Sequence, residues 1–102
     1  MYVQSVVEPE FVSIEMKVEE RLRTVALRRY MDLEANCNTK ELARQLFNID
    51  ALSPSEFRAI GYLLEMHDKI AHACMVDPDR IKEATEIGER VVRIIDNRLA
   101  MM

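Results

Sequence analysis

The 102-residue sequence has no tryptophan, only two glycines and three prolines, and six aromatic residues in all, three Tyr and three Phe. Sandwiches and barrels of short strands need frequent turn residues and strands rich in β-branched and aromatic side chains, so this composition argues against them. Long apolar runs are missing too. None approaches the roughly 20 residues a bilayer-spanning helix requires. Met1 to Glu10 carries acids and lacks the basic-then-apolar order of a signal peptide. Nor is there an excess of positive charge: 14 Lys and Arg against 18 Asp and Glu leave a net charge of −4. No overall field draws the chain to duplex nucleic acid or an anionic membrane. The two cysteines, Cys37 and Cys74, have no CxxC or CxxH spacing, which excludes the common zinc and redox motifs. They read as reduced thiols of a cytoplasmic protein. No cofactor motif is present.

What remains is helical. Hydrophobic residues make up 49% and charged residues 31% of the chain, the balance of one folded domain over residues 1–102. Val7, Phe11, Ile14, Val18, Leu22 and Val25 recur at helical spacing and predict a long first helix, from near Glu8 to Met31 or Leu33. Pro9 then falls at an early position. Glu15, Glu19, Glu20, Arg23 and Arg28 are assigned to its outer face, with Glu19 and Arg23 one turn apart. Asn38 and Glu41 read as a capping box opening a short second helix over Thr39 to Phe47. Ser53-Pro54-Ser55-Glu56 is a stronger start signal, and a third helix runs from Pro54 to about Cys74. Its buried side is drawn from Phe57, Ile60, Leu63, Leu64, Ile70, Ala71 and Cys74. Asp77-Pro78 opens the fourth, with Ile81, Ala84, Gly88, Val91 and Ile95 as its core stripe. Gly88 there costs about 1 kcal/mol relative to alanine, which predicts close approach by another helix. The fold class is an all-α, up-and-down bundle of four helices with a long first and a short second helix. No repeat is present.

One stretch concentrates titratable side chains: Glu65-Met66-His67-Asp68-Lys69-Ile70-Ala71-His72. Asp68 and His72 stand at i and i+4, so a carboxylate–imidazole hydrogen bond is expected. Such a bond fixes the tautomer of a general acid or base. His67 points about 140° away from His72 on an ideal helix. Glu65 and Lys69 form a second i,i+4 pair. Solvation of a polar helix face, with His72 satisfied by Asp68, accounts for the same residues without chemistry. Metal binding by His67, Asp68 and His72 lacks further ligands, and a His-Asp phosphohydrolase centre lacks a third histidine.

Glu19-Glu20-Arg21-Leu22-Arg23 in a long helix, Leu52 to Glu56, Asp68-Lys69-Ile70-Ala71-His72 and Val76-Asp77-Pro78 follow one another in an order that resembles the HEPN superfamily. The similarity is to its uncharacterised branch with an Asn/Asp-x-Ala-x-His motif, and it covers about Glu8 to Asp96. The resemblance implies a helical bundle, commonly a homodimer, with the polar motif near the two-fold. In active members, toxin and defence ribonucleases among them, the motif histidine acts on the ribose 2′-hydroxyl without metal and an arginine steadies the phosphate. Carried onto this chain, His72 takes the histidine position and Asp68 the polar one, while His67 stands where active members have arginine. The departure removes the forked cation that phosphoryl transfer uses. The expectation is therefore a non-catalytic dimerisation module, pairing through helices three and four and binding RNA or a partner protein around Asp68 and His72, with Lys69 and Glu65 as contacts. Two alternatives stand beside it. One is a metal-independent endoribonuclease with His72 as base, Asp68 orienting it, and His67 or Lys69 on the phosphate. The other is a purely structural dimerisation domain of a longer chain.

Overall fold

Amphipathic segments set off by the caps Asn38, Ser53 and Asp77 fold as four helices in a computed structural model, which describes residues 4–29, 38–72 and 75–101, with side chains from Pro9 onward. The helices are α1 (Gln4–Arg28), α2 (Thr39–Asn48), α3 (Pro54–Ala71) and α4 (Pro78–Ala100), with no strand among the described residues. The expected all-α bundle, with its long first and short second helix, is what the chain forms.

The termini follow the cap chemistry, with three departures, one being that α3 ends at Ala71 with His72 as its C-cap, short of the expected Cys74. α1 already includes Gln4, so Pro9 lies inside the helix rather than at its start. Its ring removes the bond to the carbonyl one turn back, a loss confined to the first turns of a 25-residue helix. α1 also ends at Arg28, short of Met31. At α2, the Asn38 side chain accepts from the Glu41 N–H at 2.8 Å. The Glu41 carboxylate is engaged by Arg44 and by Gln45. At α3 the full capping box is present: Ser53 Oγ accepts from the Glu56 N–H at 3.2 Å, and Glu56 Oε1 accepts from the Ser53 N–H at 3.0 Å. α2 ends in a reciprocal turn, with the Ala51 N–H bonded to Leu46 O (2.8 Å) and the Asp50 N–H to Phe47 O (3.0 Å). Asp50 takes the left-handed position at φ 60°. Cys37 and Cys74, and with them their expected redox state, lie outside the described residues.

The three long helices alternate in direction. α1 and α4 run parallel, since Ile14 meets Gly88, Arg21 meets Asp96 at 2.6 Å, and Arg28 reaches the Leu99 carbonyl. α3 runs against both, with Glu56 beside Arg98 and Tyr62 beside Glu83. The short α2 departs from the alternation. Thr39 starts it beside Glu19, halfway along α1, and its C-terminus delivers the chain to Ala51, whose carbonyl accepts from Arg98. It therefore advances in the same sense as α1. Alternation is the rule for short connections, and the connection between α1 and α2 is the longest in the chain.

The predicted stripes form the core. Phe11, Ile14, Val18, Leu22 and Val25 of α1 and Ile81, Ala84, Gly88, Val91 and Ile95 of α4 are all buried. α2 adds Leu42 and Leu46, and Phe47 stacks on Phe57 of α3 with ring centroids 4.5 Å apart. On α3, Ile60 and Leu63 are buried as expected, and Phe57, Leu64 and Ile70 are half-buried. Met66 is buried instead of Ala71, which is exposed. No helix among the described residues is long and apolar enough to cross a membrane.

Candidate functional site

The polar end of α3 divides its side chains among three surroundings. His72 is the C-cap residue, and both its N–H (3.0 Å) and its Nδ1 (2.8 Å) bond to the main-chain carbonyl of Asp68. The expected bond between His72 and the Asp68 carboxylate is not made. As the C-cap residue, His72 turns its ring onto the Asp68 carbonyl rather than onto the side chain. A carbonyl only accepts, so Nδ1 carries the proton and a neutral His72 keeps its lone pair on Nε2. The Asp68 carboxylate is exposed and lines the hollow between α2 and α3. Glu65 and Lys69 form the expected pair at 3.6 Å, both exposed.

His67 faces elsewhere. Its Nδ1 lies 2.8 Å from Oε1 of Glu15 on α1, so it is brought together with neither Asp68 nor His72. Glu15 is only 15% exposed in its side chain, a correction to its assignment to the solvated face of α1. Ideal helix geometry sets it about 40° from Phe11 and about 60° from Val18, on the flank of the apolar stripe. Burial raises its pKa above the ordinary carboxylate value. The hydrogen bond and charge of His67 oppose the rise, and the charges of Asp68 and Glu19 add to it. Glu19 shifts down, held first by the Thr39 hydroxyl at 2.7 Å and then by Arg23 at 3.2 Å.

Two of the hollows beside α3 bear on its polar end. One, of about 220 Å³, lies between α1 and α3, walled by Val12, Met16, Val18, Ile60, Leu63 and Leu64, with Glu15 and His67 across it. The other, of about 440 Å³, lies between α2 and α3. It is lined by Phe57, Ile60 and Leu64, with the charged side chains of Lys40 and Arg44 on α2 and of Arg58, Glu65 and Asp68 on α3. Gly61 lines the second hollow, and a Cβ built on it would meet nothing within 4 Å. Among the described residues no three His, Cys, Asp or Glu side chains are grouped to hold a metal ion. Set against family models, curated proteins and solved structures, the chain matches none of them.

Both hollows escaped the sequence reading. Glu15 could have been found by placing it on the helical wheel beside Phe11 and Val18. Gly61 carries a weaker signal: a glycine in mid-helix with no neighbouring turn residue.

Proposed function

We propose that the chain is a non-catalytic, HEPN-like dimerisation and binding module, whose pairing surface is the α2/α3 side of α3. Gly61 carries this reading. A mid-helix glycine costs about 1 kcal/mol relative to alanine. Gly88 repays that cost by contact with Ile14, but no neighbour among the described residues fills the space beside Gly61. The bare backbone suits close approach by a second helix.

Charge supplies the partner's identity. Phe57, Gly61, Leu64 and Asp68 recur at spacings of four, three and four, one face of α3. Arg58 flanks the stripe before Gly61 and Glu65 flanks it after. An antiparallel crossing centred on Gly61 sets Arg58 against Glu65 of a second copy, and symmetry repeats the pair. α4 is less suited to this role than the sequence suggested, because its inward stripe is buried against α1 and α3.

The ribonuclease alternative draws less support. Its base would be His72, yet the Asp68 carboxylate does not touch that ring and His67 is bonded to Glu15. Incubation with single-stranded and structured RNA in EDTA, beside a His72→Ala control, separates the two. Equal background in both proteins is the expected result, and cleavage lost in the variant overturns the non-catalytic reading. For pairing, sedimentation equilibrium at micromolar concentration should give twice the 11.9 kDa chain mass. Gly61→Gln, a good helix former without the open backbone, should shift the species towards monomer while keeping the fold. A monomeric parent protein retires the dimer.

A further inference from the structure

The hollow between α1 and α3 holds a carboxylate that folding alone does not require. Glu15 sits between the apolar turns of Phe11 and Val18, with burial pushing its pKa up. An uncharged side chain would fill this flank without the desolvation cost. Among the described residues its hydrogen-bond partner is His67, through Oε1. Oε2 has no partner among the described residues, and no buried side-chain oxygen or nitrogen of those residues lacks one, so Oε2 is open to the hollow or to solvent. Glu19, on the same side, has both oxygens occupied, by Thr39 and by Arg23.

The titratable groups facing this position are Glu15 and Glu19 from α1 and His67 and Asp68 from α3, and α2 contributes the neutral Thr39. Three are acids, of which Glu19 is paired with Arg23, and the basic group that meets Glu15 itself is an imidazole. The rest of the lining is aliphatic, with Met16 and Val12 exposed at the rim. One free carboxylate oxygen is too few for calcium or magnesium, which take six or more oxygens. The surrounding acids repel an anion. An ammonium group on a short aliphatic chain fits both features: its N–H donates to Oε2 while the chain covers Leu63, Leu64 and Met16.

We propose that the α1/α3 groove is a binding site for small aliphatic primary ammonium ions, with Glu15 as the anchoring acid. The volume of about 220 Å³ limits the ligand to a few carbons. Acidification weakens binding, because Glu15 takes up a proton.

The test is a titration of isotope-labelled protein with n-butylammonium, followed by amide chemical shifts, with 1-butanol and butyrate in parallel. Saturable shifts at residues 12–19 and 60–67 are expected for the ammonium. Affinity should be at least about tenfold lower for the alcohol, a difference of about 1.4 kcal/mol, with no saturation for butyrate. Glu15→Gln keeps an acceptor for His67 and should lose the preference for the ammonium while its melting curve stays cooperative. Equal binding of ammonium and alcohol, an unchanged Glu15→Gln variant, or no saturation by n-butylammonium in the millimolar range each overturns the proposal. None of these outcomes bears on pairing through Gly61.

Discussion

Gly88 of α4 lies against Ile14 of α1 so closely that a Cβ built on the glycine would stand 3.0 Å from Ile14 Cγ2 and 3.1 Å from its Cγ1. Both atoms belong to the branch point of a β-branched side chain, which rotates poorly within a helix. Leu63 closes the third side at 3.6 Å. Parallel packing of the two longest helices therefore rests on this missing side chain.

Gly88→Ala should destabilise the chain by about 1–2 kcal/mol, because overpacking outweighs the gain in helix propensity. In an Ile14→Ala background the same substitution should become stabilising, by up to about 1 kcal/mol. Urea unfolding of the four proteins in the cycle measures the change of sign. Additive effects would show that the contact does not limit the approach of α1 and α4.

Asp50 holds the left-handed position that ends α2, at φ 60°. The fold keeps it there because the Ala51 N–H to Leu46 O bond and the burial of both side chains depend on the reversal. Left-handed backbone costs a non-glycine residue about 1 kcal/mol, partly relieved for aspartate. Asp50→Gly should raise stability by about 0.5 kcal/mol, after subtracting the greater freedom of the unfolded glycine. A higher urea midpoint at unchanged slope is the expected record, and a lower midpoint contradicts it.

Two carboxylates should give opposite pH dependences. Burial pushes the pKa of Glu56 up, but Arg98 at 2.5 Å and the Ser53 N–H outweigh it and leave it below the ordinary 4.5. The folded state then binds fewer protons than the unfolded state, so this stability is present above pH 4.5 and lost as pH falls through the folded value. For Glu15 the folded pKa lies above 4.5, so its contribution becomes less favourable as pH rises from 4.5 through the raised value. Melting temperatures between pH 3 and pH 7 test both. Arg98→Ala should lower the melting temperature at pH 7, by about 2 kcal/mol in stability, and flatten the acid limb. Glu15→Gln should raise the melting temperature at pH 7 and leave the acid limb in place. The reverse pattern would mean the two environments are misassigned.

Much of this architecture is readable from local rules. Ser53-Pro54-Ser55-Glu56 starts α3 where the capping box requires, and Gly88 announces its close neighbour, since both signals lie within a turn or two of chain. The polar site is less legible. Asp68 and His72 share a helix face, but the helix ends at His72, and a capping ring turns to a main-chain carbonyl. Spacing rules assume that the helix continues. Glu15 and His67 are 52 positions apart, and Glu56 and Arg98 are 42. Each pair exists because α3 runs against its neighbours, which no local pattern encodes. The direction of α2 is in the same class.

Pairing through α3 is tested most directly by charge exchange across the crossing. Arg58→Glu and Glu65→Arg, each alone, would set like charges together in the antiparallel arrangement, whereas both in one chain restore opposite charges. Sedimentation equilibrium should show each single variant weakened in self-association by about tenfold or more, about 1.4 kcal/mol, and the double variant returned close to the parent. Single variants that associate like the parent, or a double variant weaker than either single one, would contradict the account.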